Sequence, residues 1–209
     1  KKLLIFDFDG VIFDSTKVAT DYLRTLFPLA TEEEIRTILI GNFHESMERL
    51  TALYPSQDTE EEKILRRERY AKNKLGVKTY AGMINLLNDL HAAGYILTLN
   101  TSSANANCIP LLDREKITHL FDFLGTKEIA KSKVEKFKLI QEANYMRPED
   151  TLFITDTLGD LEEAATDNTP TIGVTWGAHT RDILTSGGHK NLVQVVDQVD
   201  ELREYILKL

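Results

Sequence analysis

Short apolar runs alternate with longer segments of helical periodicity along most of the chain. The first run covers residues 3–6, and later runs begin near Tyr95, Phe121, Leu152 and Thr171. Runs of this length without alternating polar positions are typical of strands buried on both faces of a parallel sheet. Because helical segments separate the runs, the pattern predicts an α/β fold with a three-layer, Rossmann-like core.

The stretch between the first and second runs is different, since it has helical patterns and no strand pattern. Four helices are predicted there, at residues 18–26, 31–39, 44–54 and 59–75. Thr31 and Thr59 are each followed three residues later by Glu, which is the capping-box signature of a helix start. Pro28 and Gly41 are the expected stops of the first two helices. An all-helical insert of this kind predicts a cap at residues 15–77 and a core formed by residues 1–14 and 78–209.

Composition narrows the class of protein. The chain has 209 residues, of which 42% are hydrophobic, enough for one large core and a smaller second unit. Its net charge of −8 argues against a nucleic-acid or anionic-membrane partner. No apolar run is long enough to span a bilayer, and no signal-peptide pattern is present. Together with the single cysteine, Cys108, these features predict a cytoplasmic monomer or homodimer.

Acidic and hydroxyl side chains follow three of the apolar runs. They are Asp7 and Asp9, then Thr101 and Ser102, then Asp156 and Asp160. Side chains alternate along a strand, so the first two acids project the same way and repel unless a cation lies between them. Hydroxyls at a strand-to-helix junction suit a phosphate, although each feature alone is also explained by ordinary capping. Since ligands bind where parallel strands end, we expect these groups to converge at one edge of the sheet.

In this order the motifs resemble those of the haloacid dehalogenase-like superfamily of phosphatases, in particular its phosphoglycolate phosphatase-like members with a helical cap. Residues 7–11 are similar to the first motif and Thr101 to the second, while Asp156 and Asp160 match the fourth. The resemblance covers the chain from Lys2 to about Gly177.

A lysine forms the third motif of the superfamily. Ser132 stands where a proline often follows that lysine, which leaves open whether Lys131 or Lys133 reaches the phosphate. The spacing from Lys131 to Phe137 and Asp156 is the usual one, so Lys131 is favoured.

The resemblance implies an enzyme that hydrolyses a small phosphorylated metabolite with Mg²⁺. Asp7 would attack phosphorus to form an aspartyl-phosphate, and Asp9 would protonate the leaving oxygen and then activate water. The resemblance also implies that Thr101, Ser102 and Lys131 bind the phosphate. Mg²⁺ would be bound by Asp7, the Asp9 carbonyl, Asp156 and Asp160. The cap turn would contact the substrate through Asn42, Phe43 and His44. Asp160 would either bind the cation directly or hydrogen-bond to a residue that does.

Three alternatives remain at this point. A phosphosugar mutase of the same superfamily has all four motifs, but similar mutases carry a histidine at the position of Ala19. A receiver-type protein places its phosphoacceptor on a middle strand and has no cap. A phosphate-binding module without turnover would lack Asp7 or Asp9. Among substrates, phosphoglycolate, a sugar phosphate, a nucleoside monophosphate or pyrophosphate would all fit.

Overall fold

A computed structural model describes residues 2–38, 40 and 42–209 of the chain. Its strands are β1 (Leu3–Phe6), β2 (Ile96–Asn100), β3 (Phe123–Gly125), β4 (Thr151–Thr155), β5 (Thr171–Val174) and β6 (Leu192–Val196). They form one sheet in the order β3-β2-β1-β4-β5-β6, and every neighbouring pair is parallel. The predicted α/β fold with a parallel, Rossmann-like sheet is therefore confirmed.

The sixth strand was not predicted. β6 forms one edge of the sheet, and Val193 and Gln194 within it are exposed. An edge strand lacks the continuous apolar run that identifies a strand with neighbours on both sides. A helix follows it at Val199–Leu207.

Helices cover both faces of the sheet. In chain order the helices are α1 (Thr16–Leu26), α2 (Glu32–Thr37), α3 (Phe43–Leu53), α4 (Glu60–Leu75), α5 (Met83–Ala92), α6 (Asn105–Arg114), α7 (Lys133–Ala143), α8 (Leu158–Thr166), α9 (Arg181–Thr185) and α10 (Val199–Leu207). Leu4 and Phe6 of β1 pack in one apolar cluster with residues of α5, α6 and α10. Leu3 and Ile5 pack in a second cluster with residues of α7 and α8. Strand alternation thus produces the three layers.

The insert between β1 and β2 is helical, as the pattern predicts. Its helices are α1 (Thr16–Leu26), α2 (Glu32–Thr37), α3 (Phe43–Leu53) and α4 (Glu60–Leu75). Thr31 and Thr59 each form the expected reciprocal capping box, with Glu34 and Glu62 respectively. The insert has its own apolar cluster, formed by Leu23, Phe27, Ile35, Ile38 and Leu50.

Two details of the insert differ from the prediction or lie beyond the structure. Helix α2 ends at Thr37, earlier than the expected end at residue 39. Leu39 and the expected stop at Gly41 lie outside the described residues. The division into a cap at residues 15–77 and a core stays a prediction. No helix in the described part of the chain combines the length and apolarity needed to cross a bilayer.

Candidate active site

The three strands that carry the acidic and hydroxyl motifs are neighbours in the order β2-β1-β4. Their carboxyl ends open into a cavity of about 600 Å³ between the core and the helical insert. The predicted residues that line it are Asp7, Asp9, Phe43, Thr101, Ser102, Asp156 and Asp160. The insert adds an apolar wall from Leu23, Leu26, Met47 and Ala71. The sheet thus brings together groups that are up to about 150 residues apart in the sequence.

Glycines let two loops close around Asp156. Gly10 has a φ of 75°, in the left-handed region that glycine adopts without strain. A Cβ atom at Gly10 or at Gly177 would collide with the Asp156 carboxylate. Side chains at these two positions would therefore push the loop after β1 or the loop after β5 away from the acid.

Asp7 lies at the centre of a buried charge cluster. The Lys133 Nζ atom is 2.9 Å from Asp7 Oδ2 and 2.7 Å from Asp160 Oδ2. Burial, reinforced by the Asp160 and Asp156 carboxylates, raises the pKa of Asp7 well above its usual range despite the attraction of Lys133. Asp160 has a lowered pKa because Lys133, Asp7 and Thr155 outweigh its burial. Of the two neighbouring acids, Asp160 is therefore ionised more readily than Asp7.

The structure places Lys133, rather than the predicted Lys131, beside Asp7. Lys131 is exposed and does not line the cavity, whereas Lys133 is buried and contacts Asp7. Ser132 is the reason, because its hydroxyl caps α7 by accepting a hydrogen bond of 3.1 Å from the Val134 N–H. The helix therefore begins at Lys133, and the residue that faces the site lies two positions later than the usual spacing indicates.

Lys136 supports the turn after β2. Its buried Nζ atom donates a 2.5 Å hydrogen bond to the Thr101 carbonyl. Burial and the neighbouring Lys133 lower the pKa of Lys136 to about 8. The Thr101 hydroxyl in turn accepts a 3.0 Å hydrogen bond from the Ser103 N–H. Sequence reasoning missed Lys136 because nothing in a lysine-rich helix start distinguishes it.

Asp156 has the chemistry of a cation ligand. Burial is the main cause that raises its pKa to about 7. Its Oδ2 atom accepts a 2.7 Å hydrogen bond from the Ala178 N–H, whereas its buried Oδ1 atom has no partner among the described residues. Carboxylate oxygens are the ligands that Mg²⁺ prefers, so Asp7, Asp156 and Asp160 suit that ion. Within the described ranges, no three acidic, histidine or cysteine side chains converge closely enough to form a metal cluster, and Lys133 bridges Asp7 and Asp160.

Asp9 accepts hydrogen bonds from three side chains. The Lys74 Nζ atom is 2.7 Å from Asp9 Oδ1, the Ser103 hydroxyl donates to Oδ2 at 2.6 Å, and the Ser15 hydroxyl donates to Oδ1. Burial alone would raise the pKa of Asp9, but Lys74 and the two hydroxyls hold it below its usual value. Sequence reasoning missed all three donors, since they come from separate segments.

One of the three predicted cap-turn residues lines the cavity. Phe43 lines the cavity, but Asn42 and His44 do not. Asn42 caps α3 and donates a 2.8 Å hydrogen bond to Glu163 on the core helix α8. His44 is half-buried, and the expected substrate contacts of Asn42 and His44 stay predictions.

Known proteins resemble this chain in sequence. A family model described as haloacid dehalogenase-like hydrolase matches residues 4–174. "Probable phosphatase IndB" of Dickeya dadantii is 26% identical over 100% of this chain and 96% of its own length. "Phosphoglycolate phosphatase 1" of Pseudomonas aeruginosa is 27% identical over 96% of this chain and 82% of its own length.

A solved structure from Thermotoga maritima, provisionally titled as a β-phosphoglucomutase, has the same fold. Its TM-score is 0.71 at 21% identity, covering 100% of this chain and 99% of that one. The family match extends over most of the sequence. The chain belongs to the haloacid dehalogenase-like hydrolases, and the curated relatives named above are phosphatases.

Proposed function

We propose that this protein is a Mg²⁺-dependent phosphatase that hydrolyses a small phosphorylated metabolite through an aspartyl-phosphate on Asp7. The observation that carries the proposal is the buried cluster of Asp7, Lys133, Asp156 and Asp160 on the floor of a capped cavity. A nucleophile, a fixed cation and two further acids are the groups that phosphoryl transfer requires.

In the first step, an oxygen of Asp7 attacks phosphorus and the ester oxygen leaves. Lys133 lies 2.9 Å from Asp7 Oδ2, so its ammonium group is close to the position of the transferring phosphoryl group. Its charge offsets the charge that accumulates on the phosphoryl oxygens in the transition state. Thr101 and Ser102 line the same cavity at the end of β2, so their hydroxyl groups would be available to hydrogen-bond those oxygens.

Mg²⁺ would be held by Asp7, Asp156, Asp160 and the backbone carbonyl of Asp9. When bound, the ion neutralises the nucleophile and the phosphoryl oxygens, which allows one anion to approach the other. The raised pKa values of Asp7 and Asp156 support this role, because burial makes both carboxylates costly to ionise and a bound cation would offset that cost.

Asp9 serves as the acid–base group. It protonates the leaving alkoxide in the first step and takes a proton from water in the second. In the second step, the water oxygen bonds to phosphorus, the bond from Asp7 to phosphorus breaks, and inorganic phosphate is released. The first step uses Asp9 in its protonated form and the second uses it ionised; the three donors around Asp9 favour the ionised form, which accepts the proton of water.

Hydrolysis is favoured over the mutase alternative by Ala19. This residue lines the cavity, at the position where similar mutases carry a histidine, and its methyl group cannot transfer a proton.

The cavity is large for the smallest candidate substrate. Phosphoglycolate has about nine non-hydrogen atoms, and even at the roughly 30 Å³ that liquid water allots to each molecule it would fill less than half of the cavity. We therefore include sugar phosphates and nucleoside monophosphates among the candidates.

The direct test is turnover on a panel of phosphate esters. Purified protein with Mg²⁺ is expected to release inorganic phosphate from p-nitrophenyl phosphate and from at least one natural ester. Chelation by EDTA is expected to remove the activity, and excess Mg²⁺ to restore it. Undiminished activity in EDTA would contradict the role of the cation, and isomerised sugar phosphate without free phosphate would support the mutase.

Thermal unfolding gives a test of the metal site without turnover. The pKa of Asp156 is about 7 in the folded protein, above its value of 3.8 in an unfolded chain. The folded state therefore binds this proton more tightly, so the contribution of Asp156 to stability is fully present at low pH and is lost as pH rises from about 4 to 7. In EDTA, we expect the Tm to fall over this range less steeply in Asp156→Asn than in the wild type. At pH 8, Mg²⁺ should raise the Tm of the wild type more than that of Asp156→Asn, and an equal rise would contradict the site.

A further inference from the structure

Lys74 brings a buried positive charge from the insert into the active site. It belongs to the last turn of α4, and only 1% of its surface is exposed. Its Nζ atom lies 2.7 Å from Asp9 Oδ1, 2.8 Å from Asp9 Oδ2 and 2.8 Å from Ser103 Oγ. A lysine at the end of a helix normally extends into solvent, so a buried one at this position requires a specific partner.

The surroundings of Lys74 offer it one carboxylate within ion-pair distance among the described residues. Two aromatic rings also lie near the ammonium group, with the Phe8 ring centre 5.5 Å and the Tyr70 ring centre 5.7 Å from Nζ. A buried ammonium group between two rings is stable only if its opposite charge stays in contact. Lys74 is therefore expected to stay in contact with Asp9.

The hydrogen bonds also determine the orientation of Asp9. The Lys74 ammonium can only donate, and the hydroxyls of Ser15 and Ser103 donate to the two oxygens of the same carboxylate. Both carboxylate oxygens of Asp9 therefore accept hydrogen bonds. Its side chain is held in one orientation, and 28% of it remains exposed on the cavity side.

The core holds the end of α4 in place. The Arg114 guanidinium group on α6 donates hydrogen bonds to the Leu75 carbonyl and, at 2.5 Å, to the Val77 carbonyl. Leu75 ends α4, and its carbonyl is one that a helix end leaves without an internal partner, while Val77 lies two residues beyond the helix. Lys74 therefore approaches Asp9 from backbone that is attached to the core.

We propose that Lys74 is a positioning residue that holds Asp9 as an oriented proton acceptor for hydrolysis of the aspartyl-phosphate. This inference rests on the proposed phosphatase function and adds to it a group from the insert. Lys74 acts through Asp9, which receives the proton of the attacking water while the bond from Asp7 to phosphorus breaks. Without Lys74, Asp9 loses one of its three donors and its fixed orientation, so the second step slows more than the first.

Rapid-mixing kinetics with p-nitrophenyl phosphate and Mg²⁺ separate the two steps. The initial release of p-nitrophenol reports formation of the phosphoenzyme, and the later steady rate reports its hydrolysis. For Lys74→Met we expect an initial burst followed by a steady rate about 10- to 100-fold below that of the wild type, part of the 10²–10⁴ that a general base contributes. Lys72→Met changes an exposed lysine on the same helix and should behave as the wild type.

A purely structural role for Lys74 would give a different result. Misfolding lowers the burst and the steady rate by the same factor, and that outcome would overturn the proposal. The milder Lys74→Gln, which keeps a neutral donor, provides the same comparison if Lys74→Met is poorly folded. An unchanged steady rate in both variants would also overturn it.

A double substitution tests whether Lys74 acts through Asp9. In an Asp9→Asn background, Lys74→Met should slow the steady rate no further, because the acceptor is already absent. Losses that multiply would overturn the positioning role while leaving the phosphatase proposal intact. If the wild-type protein itself released no phosphate from any ester, the proposed function would fail first, and the role of Lys74 with it.

Discussion

Asp7→Asn is expected to lower kcat by about 10⁴-fold or more on every phosphate ester. The amide lacks the anionic oxygen that attacks phosphorus, so the covalent route is closed. A loss of this size corresponds to about 5 kcal/mol or more in the activation barrier. The measurement is kcat with saturating Mg²⁺ on an activated aryl ester, for which the wild-type rate is highest and the residual rate can be quantified.

The fold should survive this substitution. Burial and the neighbouring carboxylates raise the pKa of Asp7, so the folded state already disfavours its charge. A neutral side chain of the same shape removes that cost at neutral pH, and we expect the Tm of Asp7→Asn to equal or exceed that of the wild type. Near-normal turnover in this variant would mean that another group is the nucleophile.

Lys133→Gln is the second variant with a large expected effect. Lys133 is the cation closest to Asp7 among the described residues, and its charge is needed where the phosphoryl oxygens become more negative. Removal of one preorganised donor of this kind costs about 100- to 1,000-fold in rate. We expect a loss of that size in kcat/KM, measured on the folded fraction because a buried ion pair is also broken.

Lys131→Gln is the matched control for this experiment. It removes the same charge two residues earlier, from an exposed side chain that does not line the cavity. We expect its kcat/KM to stay within about twofold of the wild-type value, as is usual for surface substitutions. The reverse order of effects would restore the assignment of Lys131 and contradict the geometry described here.

The sequence predicted the parts of this fold that depend on local signals. The capping boxes at Thr31 and Thr59 were visible because each involves residues three apart, and both are present. The buried strands were visible because their apolar runs are continuous. The edge strand β6 was not, since its exposed face removes that signal.

The candidate site divides in the same way. Asp7, Asp9, Thr101 and Asp156 could be placed because strand ends in a parallel sheet share an edge. The Lys74 contact with Asp9 joins residues 65 positions apart and depends on how the insert packs on the core, which no local pattern encodes. The position of Lys133 beside Asp7 was not predicted for a related reason, since it depends on where α7 begins.

The stereochemical course at phosphorus tests the central claim most directly. A substrate with an isotopically chiral phosphoryl group would be hydrolysed, or transferred to an acceptor alcohol, and the configuration of the product determined. Transfer to Asp7 and then to water consists of two in-line displacements, each of which inverts phosphorus, so we predict overall retention. Overall inversion would show a single direct attack by water and would contradict the aspartyl-phosphate mechanism.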